Sequence, residues 1–99
     1  DPEATNTLPV METPLIDVLT AARDGEPLPE LSFAPTATVC KYAVPEGYPT
    51  DPAGGTKIEI DESSAGDALL FYASVDERAD GLYTTTSRAM AVVGTVSIT

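Results

Sequence analysis

Apolar residues recur at Leu15, Val18, Leu19 and Ala22, a spacing that collects them on one face of a helix. Thr13 is placed to cap that helix, Pro14 suits its first position, and Gly25 supplies the left-handed residue that ends it. A helix over Pro14–Asp24 is predicted, with Arg23 favourably near its C-terminal end. So short a helix barely holds alone in water and must lean on something. Before it, residues 1–12 are polar and then mixed, with Leu8-Pro9-Val10-Met11 as an apolar clip. From Thr36 the period changes. Thr36–Val44 has β-type residues, and Lys57-Ile58-Glu59-Ile60-Asp61 alternates, with Ile58 and Ile60 on one buried face. Glu62–Asp67 is a turn segment, and Ala68–Val75 is nearly continuously apolar, the pattern of a central strand covered on both faces. After a polar connection with Asp80-Gly81 as a hairpin signal, Leu82–Thr85 and Arg88–Val93 are the closing strands. The expected fold is mostly β with one short N-terminal helix: a small antiparallel barrel or sandwich.

Two stretches interrupt the pattern. Glu26-Pro27-Leu28-Pro29-Glu30 is a stiff linker between the helix and the β part, which begins near Ser32. Pro45–Gly55 holds three prolines and three glycines in eleven residues, which excludes strand and helix. A long, stiffened loop between strands is either a wide solvent loop or a binding loop held by a rigid scaffold.

Ninety-nine residues allow one small core. Sixteen Asp and Glu against five Lys and Arg give a formal charge of −11, which argues against nucleic acid and anionic membrane as partners. The acids are dispersed, with neither an acidic tail nor an EF-hand loop. Such a surface is either ordinary solvated charge or an adaptation to high salt, where the Debye length falls to ~3 Å at 1 M. The size of the imbalance favours the second. The single cysteine, Cys40, has no internal disulfide partner and falls mid-strand, where a buried, inert thiol is expected. No apolar run approaches the ~20 residues of a membrane span, and a cytoplasmic setting is expected. The opening on Asp-Pro without methionine is expected of a chain cut from something longer.

The chain is poorly equipped as a freestanding enzyme. It has no histidine, so neither a Ser-His-Asp triad nor a histidine-based zinc site can form. Gly54-Gly55-Thr56-Lys57 opens a strand rather than a helix and so is not a phosphate loop.

Three segments, in order, carry a family resemblance. Ala37 to Pro49, ending in Gly47-Tyr48-Pro49, resembles the start of the C-terminal domain of the phosphoribosylamine–glycine ligases. Asp1-Pro2-Glu3 resembles the end of that family's Gly-Asp-Pro-Glu segment, and Asp80 to Gly94 resembles its closing strands. Glu46 stands where many relatives carry glycine, and Thr86-Ser87 replaces a glycine pair. After Gly94 the run Thr95-Val96-Ser97-Ile98-Thr99 stops where relatives continue into a final helix, as expected of a piece shortened at both ends.

The resemblance implies an ATP-grasp ligase that phosphorylates the carboxylate of glycine with ATP and magnesium (or manganese), after which the amine of phosphoribosylamine attacks the acyl phosphate. It places the metal and nucleotide ligands upstream, so this chain is expected to hold no metal and no catalytic residue, and to be inactive alone. Residues 1–31 would be the end of the ATP-grasp domain, the linker being its hand-over or simply a surface crossover, and residues 32–99 the C-terminal β domain. The partners implied are the remaining domains of the ligase and its small-molecule substrates.

Gly47, Tyr48, Pro49 and Arg88 become candidate substrate-facing residues, and Asp1, Pro2 and Glu3 candidate cleft-adjacent ones. Each has a plainer reading. Tyr48 packs on the barrel, Pro49 shapes a turn, Arg88 pairs with a carboxylate such as Asp80, and Asp1 to Glu3 fray. The competing function is an independent acidic β-barrel binding module. A severed domain predicts an exposed apolar face on Leu15, Val18 and Leu19; a self-contained module predicts that face covered.

Overall fold

The computed structural model describes residues 2–98 and contains two short helices and six antiparallel strands. The helices are α1 (Pro2–Thr7) and α2 (Leu15–Asp24). The strands are β1 (Thr36–Ala43), β2 (Lys57–Ile58), β3 (Leu69–Tyr72), β4 (Val75–Arg78), β5 (Gly81–Thr84) and β6 (Met90–Ser97). They form two three-stranded sheets, ordered β1-β6-β3 and β2-β5-β4. Each sheet keeps its edges, and the two do not close into a barrel.

β6 organises the molecule. It pairs with β1 along its whole length, Ala43 opposite Met90 and Thr36 opposite Ser97, and with β3 at its start. Met90 and Ala91 point to opposite faces, and both are buried, as are Ala89 and Val93. The strand covered on both faces is therefore the start of β6, not Ala68–Val75. That apolar run breaks at Ala73-Ser74. Their N–H groups donate to the carbonyls of Ala89 and Arg88, at 2.8 and 2.9 Å, and beyond them the chain crosses to the second sheet as β4. β3 is left at an edge, with Leu69 and Tyr72 exposed. β6 also runs on to Ser97, past the expected stop at Val93.

β1 alternates between two faces, as the pleat dictates. Thr36, Thr38, Cys40 and Tyr42 are half-buried, and Ala37, Val39, Lys41 and Ala43 are exposed. α1 lies on the half-buried face: Thr38 donates to the Asn6 carbonyl at 3.0 Å, and the Thr5 hydroxyl meets the Cys40 thiol at 3.1 Å. Cys40 is half-buried rather than fully buried. Sequence pattern missed α1 because six residues have no helical stability of their own; this helix exists by docking on β1.

α2 lies within an excursion whose two ends meet. Met11 bridges Phe33, Ala34 N–H donates to the Val10 carbonyl, and Glu12 N–H to the Ser32 carbonyl, both at 2.8 Å. Thr13 is not the cap of α2. Its hydroxyl accepts from Ser32 N–H and donates to the Glu30 carbonyl, while Pro14 occupies the cap position. Gly25 ends the helix at φ 68° as expected. None of the ten residues of α2 is buried, and Leu15, Ile16 and Leu19 are 42%, 67% and 55% exposed.

The chain is correspondingly open. Its accessible surface is 6781 Å², against ~5,400 Å² for a folded monomer of this mass. The radius of gyration is 16.8 Å, against about 13 Å for a compact chain of 100 residues.

Candidate functional site

The Pro45–Gly55 loop and the Thr85–Ala89 connection between β5 and β6 are held against each other. Entry to the loop is fixed where Ala89 N–H donates to the Ala43 carbonyl at 2.9 Å, just before buried Pro45. Exit is fixed by Thr84, whose carbonyl accepts from Gly55 N–H and whose N–H donates to the Thr56 carbonyl, both at 2.8 Å. Gly54 lies against the backbone of Thr85 and the methyl of Thr86. Both ends of the loop are thus tied to the β5–β6 connection. Within it, Asp51 N–H donates to the Gly47 carbonyl at 2.9 Å and Ala53 N–H to the Glu46 carbonyl at 2.8 Å. Gly47 has φ 83°, and a Cβ there would collide with the Asp51 carbonyl, so glycine is required. Tyr48 is half-buried and joined to exposed Pro49 by a cis peptide bond.

Arg88 follows this loop's frame. Its carbonyl is held by Ser74 N–H, and its guanidinium lies over the Tyr42 ring, 4.6 Å from the centroid. The expected Arg88–Asp80 pair does not form. Asp80 lies 3.8 Å from Lys57 Nζ and accepts from the Tyr83 phenol at 2.7 Å. That hydrogen bond, with burial, raises the Tyr83 pKa above its ordinary value, and Arg78, stacked on the ring at 4.1 Å, opposes the shift. Among the described residues no carboxylate pairs with Arg88, whereas Arg23, Lys57 and Arg78 each have one.

Beside Arg88, the Ser74 and Thr85 hydroxyls meet at 2.6 Å, and Ser87 N–H donates to the Thr85 hydroxyl at 3.2 Å. The fold therefore gathers the Gly47–Pro49 loop, Tyr42, Ser74, Thr85 and Arg88 at one end of β1 and β6. Tyr42, Ser74 and Thr85 escaped the sequence reading, because the pairing of Tyr42 with Arg88 depends on a register that sequence does not print. Glu3 is exposed on α1 and Pro2 opens that helix, while Asp1 lies outside the described residues. Among the described residues no three aspartate, glutamate or cysteine side chains group where they could hold a metal ion.

A second feature is an apolar groove between β3 and β6 of the first sheet and the segment after β2. Ile60, Leu70, Met90 and Val92 line a hollow of about 280 Å³, rimmed by Glu59 and Asp61. Ile58 and Ile60 are half-buried although the strand there is only Lys57–Ile58.

These features define a class first: an open, antiparallel two-sheet domain with a clamped loop and too little interior to be sealed by itself. Residues 38–97 match the family described as phosphoribosylglycinamide synthetase, C domain, and the chain belongs to that family. It is 52% identical over 96 residues to a phosphoribosylamine–glycine ligase of Methanococcoides burtonii, and 47% identical over 97 residues to one of Methanococcus maripaludis. Each match covers 95% of this chain but 22% of the relative, so the chain spans less than a quarter of these proteins. The crystal structure of the phosphoribosylamine–glycine ligase of Thermotoga maritima shares the fold, with a TM-score of 0.76 and 23% identity over 97% of this chain and 23% of that one. Among the described residues no helix is long and apolar enough to cross a membrane.

Proposed function

We propose that this chain serves as the C-terminal part of an ATP-dependent ligase that joins glycine to phosphoribosylamine, forming one wall of the substrate cleft. Residues 1–31 then close the ATP-grasp domain, and residues 32–99 are the C-terminal β domain. ATP, magnesium and the acyl-phosphate step belong to the remaining domains. This domain contributes the Gly47-Tyr48-Pro49 loop and Arg88, which face the substrates, with Glu3 and its neighbours Asp1 and Pro2 beside the cleft. A cationic side chain on this wall suits the phosphate of phosphoribosylamine, because a guanidinium fork matches a phosphate's oxygens. The setting is cytoplasmic, and the charge of −11 is an adaptation to high salt.

The observation that carries this reading is the uncovered apolar face of α2, with Leu15, Ile16 and Leu19 in solvent. The surface exceeds that of a compact monomer by roughly 1,400 Å², more than the ~800 Å² one partner gives to a standard interface. A self-contained binding module would have covered those residues. The test is a chimera in which this chain replaces the matching segment of the Methanococcoides burtonii ligase. The chimera is expected to release phosphate only with both glycine and phosphoribosylamine present, and the isolated chain to leave ATP untouched. ATP turnover by the isolated chain, or a folded chimera without activity, overturns the reading.

A further inference from the structure

Two cations, Lys41 and Arg88, have no carboxylate partner among the described residues; Lys41 is exposed, whereas Arg88 is half-buried. The chain carries sixteen carboxylates and only five cations, yet this half-buried guanidinium pairs with none of them among the described residues. Its backbone has little freedom. The Arg88 carbonyl accepts from Ser74 N–H at 2.9 Å, and the next residue, Ala89, donates to the Ala43 carbonyl at 2.9 Å. The side chain then crosses to β1 and lies over Tyr42, the residue before Ala43.

A ring contact of this kind holds the cation without pairing its N–H groups with a carboxylate, so donors remain for a phosphate. A carboxylate partner would have occupied those donors and cancelled the charge. The ring instead lowers the freedom of a long side chain without taking its donors. Tyr42 is itself held by the strand, half-buried and opposite Ala91 in the register of β1 and β6.

We infer that Tyr42 is a positioning residue: its ring holds Arg88 with N–H donors free, making a preformed site for a phosphate monoester at the entry to the Pro45–Gly55 loop. The inference rests on the ligase reading for the identity of the phosphate, but its geometry is testable without the ligase. The role of the ring is also separable from that of the arginine, because phenylalanine keeps the ring contact and leucine keeps only the bulk.

The experiment follows the Arg88 Nε–H resonance of the ¹⁵N-labelled chain during titration with inorganic phosphate and with ribose 5-phosphate. Molar KCl removes the long-range repulsion between phosphate and a chain of charge −11. The wild type is expected to give a saturable shift at Arg88 that Arg23 and Arg78 do not share. Tyr42→Phe should keep the affinity within about twofold, and Tyr42→Leu should weaken it about three- to tenfold, the range expected of a lost cation–π contact. Backbone amide dispersion identifies variants that remain folded, and Arg88→Gln in the wild-type Tyr42 background should abolish the site without touching the ring. Equal affinity in folded Tyr42→Leu overturns the inference. So does a wild-type response in which the exposed arginines shift as much as Arg88, the result for adventitious ions. Neither result touches the chimera's activity, so the ligase reading stands or falls separately.

Discussion

The Thr84 hydroxyl stands between Ala53 and Thr56, donating to the Ala53 carbonyl and accepting from the Thr56 N–H, both at 3.0 Å. Thr84 is the one buried polar residue among those described, 7% exposed, and it ties the end of a long loop to β5. Valine has the same shape and β preference but leaves the part-buried Ala53 carbonyl and Thr56 N–H without their partner. Thr84→Val is expected to cost about 1–3 kcal/mol in urea unfolding. Thr84→Ser, which keeps the hydroxyl, should recover most of that loss.

Gly47 and Gly55 both have positive φ, at 83° and 77°, but only Gly47 is crowded, with the Asp51 carbonyl where a Cβ would stand. Around Gly55 a Cβ would meet nothing within 4 Å. Gly55→Ala therefore bears only the left-handed penalty, roughly 1–2 kcal/mol. Gly47→Ala adds a collision with backbone that can be relieved only by moving the Gly47–Asp51 turn. The expected order of melting temperatures is wild type, Gly55→Ala, then Gly47→Ala, read by circular dichroism.

What could be seen in advance was whatever depends on neighbours in sequence. The period of Leu15, Val18 and Leu19, the stop at Gly25, the β-type residues of Thr36–Val44 and the glycine–proline loop are local signals, and each maps onto an observed element. The misses are long-range. α1 exists only against β1, and Thr13 is claimed by Ser32 and Glu30, nineteen and seventeen residues away. The apolar run at Ala68–Val75 breaks because Arg88 and Ala89 hold Ser74 and Ala73 at a corner. The candidate site was half legible. Gly47-Tyr48-Pro49 and Arg88 carry the resemblance, whereas the partners of Arg88 are set by strand register, which no short window of sequence encodes.

Asp61 caps the short 3₁₀ turn at Glu62–Ala65, accepting from the hydroxyls of Ser63 and Ser64 and from Ser63 N–H. Those hydroxyl bonds, led by Ser63, hold its pKa below the ordinary carboxylate value. A lowered folded-state pKa means stability that is present above the unfolded value of ~3.9 and is lost as pH falls through the folded value. Asp24, lowered by its bond to Arg23, acts with the same sign. Stability measured from pH 5 downwards is expected to decline in the wild type, and the decline should be shallower in Asp61→Asn. Parallel curves would remove Asp61 from the account.

At a charge of −11 on a chain with few internal contacts, self-repulsion opposes the compact state. Only three ion pairs occur among the described residues, all exposed, so salt has little attraction to screen and much repulsion. Melting temperature should therefore rise between dilute buffer and 1–2 M KCl, most steeply at the dilute end, where the Debye length changes most (~30 Å at 0.01 M, ~10 Å at 0.1 M). Sodium sulfate stabilises proteins generally by exclusion, so KCl is the deciding salt. A melting temperature independent of KCl would leave the acidity as ordinary solvated charge.

The apolar face of α2 separates a severed domain from a self-sufficient one. Ile16 and Leu19, at 67% and 55% exposure, have little burial to lose in this chain. Glutamate is a good helix former, so Ile16→Glu and Leu19→Glu together should change the stability of the isolated chain by no more than ~0.5 kcal/mol each. Covered positions would lose far more, ~2–5 kcal/mol even for truncation to alanine. The same pair in the chimera with the Methanococcoides burtonii ligase should be severely damaging, because there the face has a surface to meet, and two buried carboxylates would stand against it unpaired. The expected signature is thus a substitution silent in the part and disruptive in the whole, measured by urea unfolding of the chain and by thermal inactivation of the chimera. If the pair unfolds the isolated chain, α2 is packed in solution against this domain itself, and its exposed face is no longer an argument for missing neighbours.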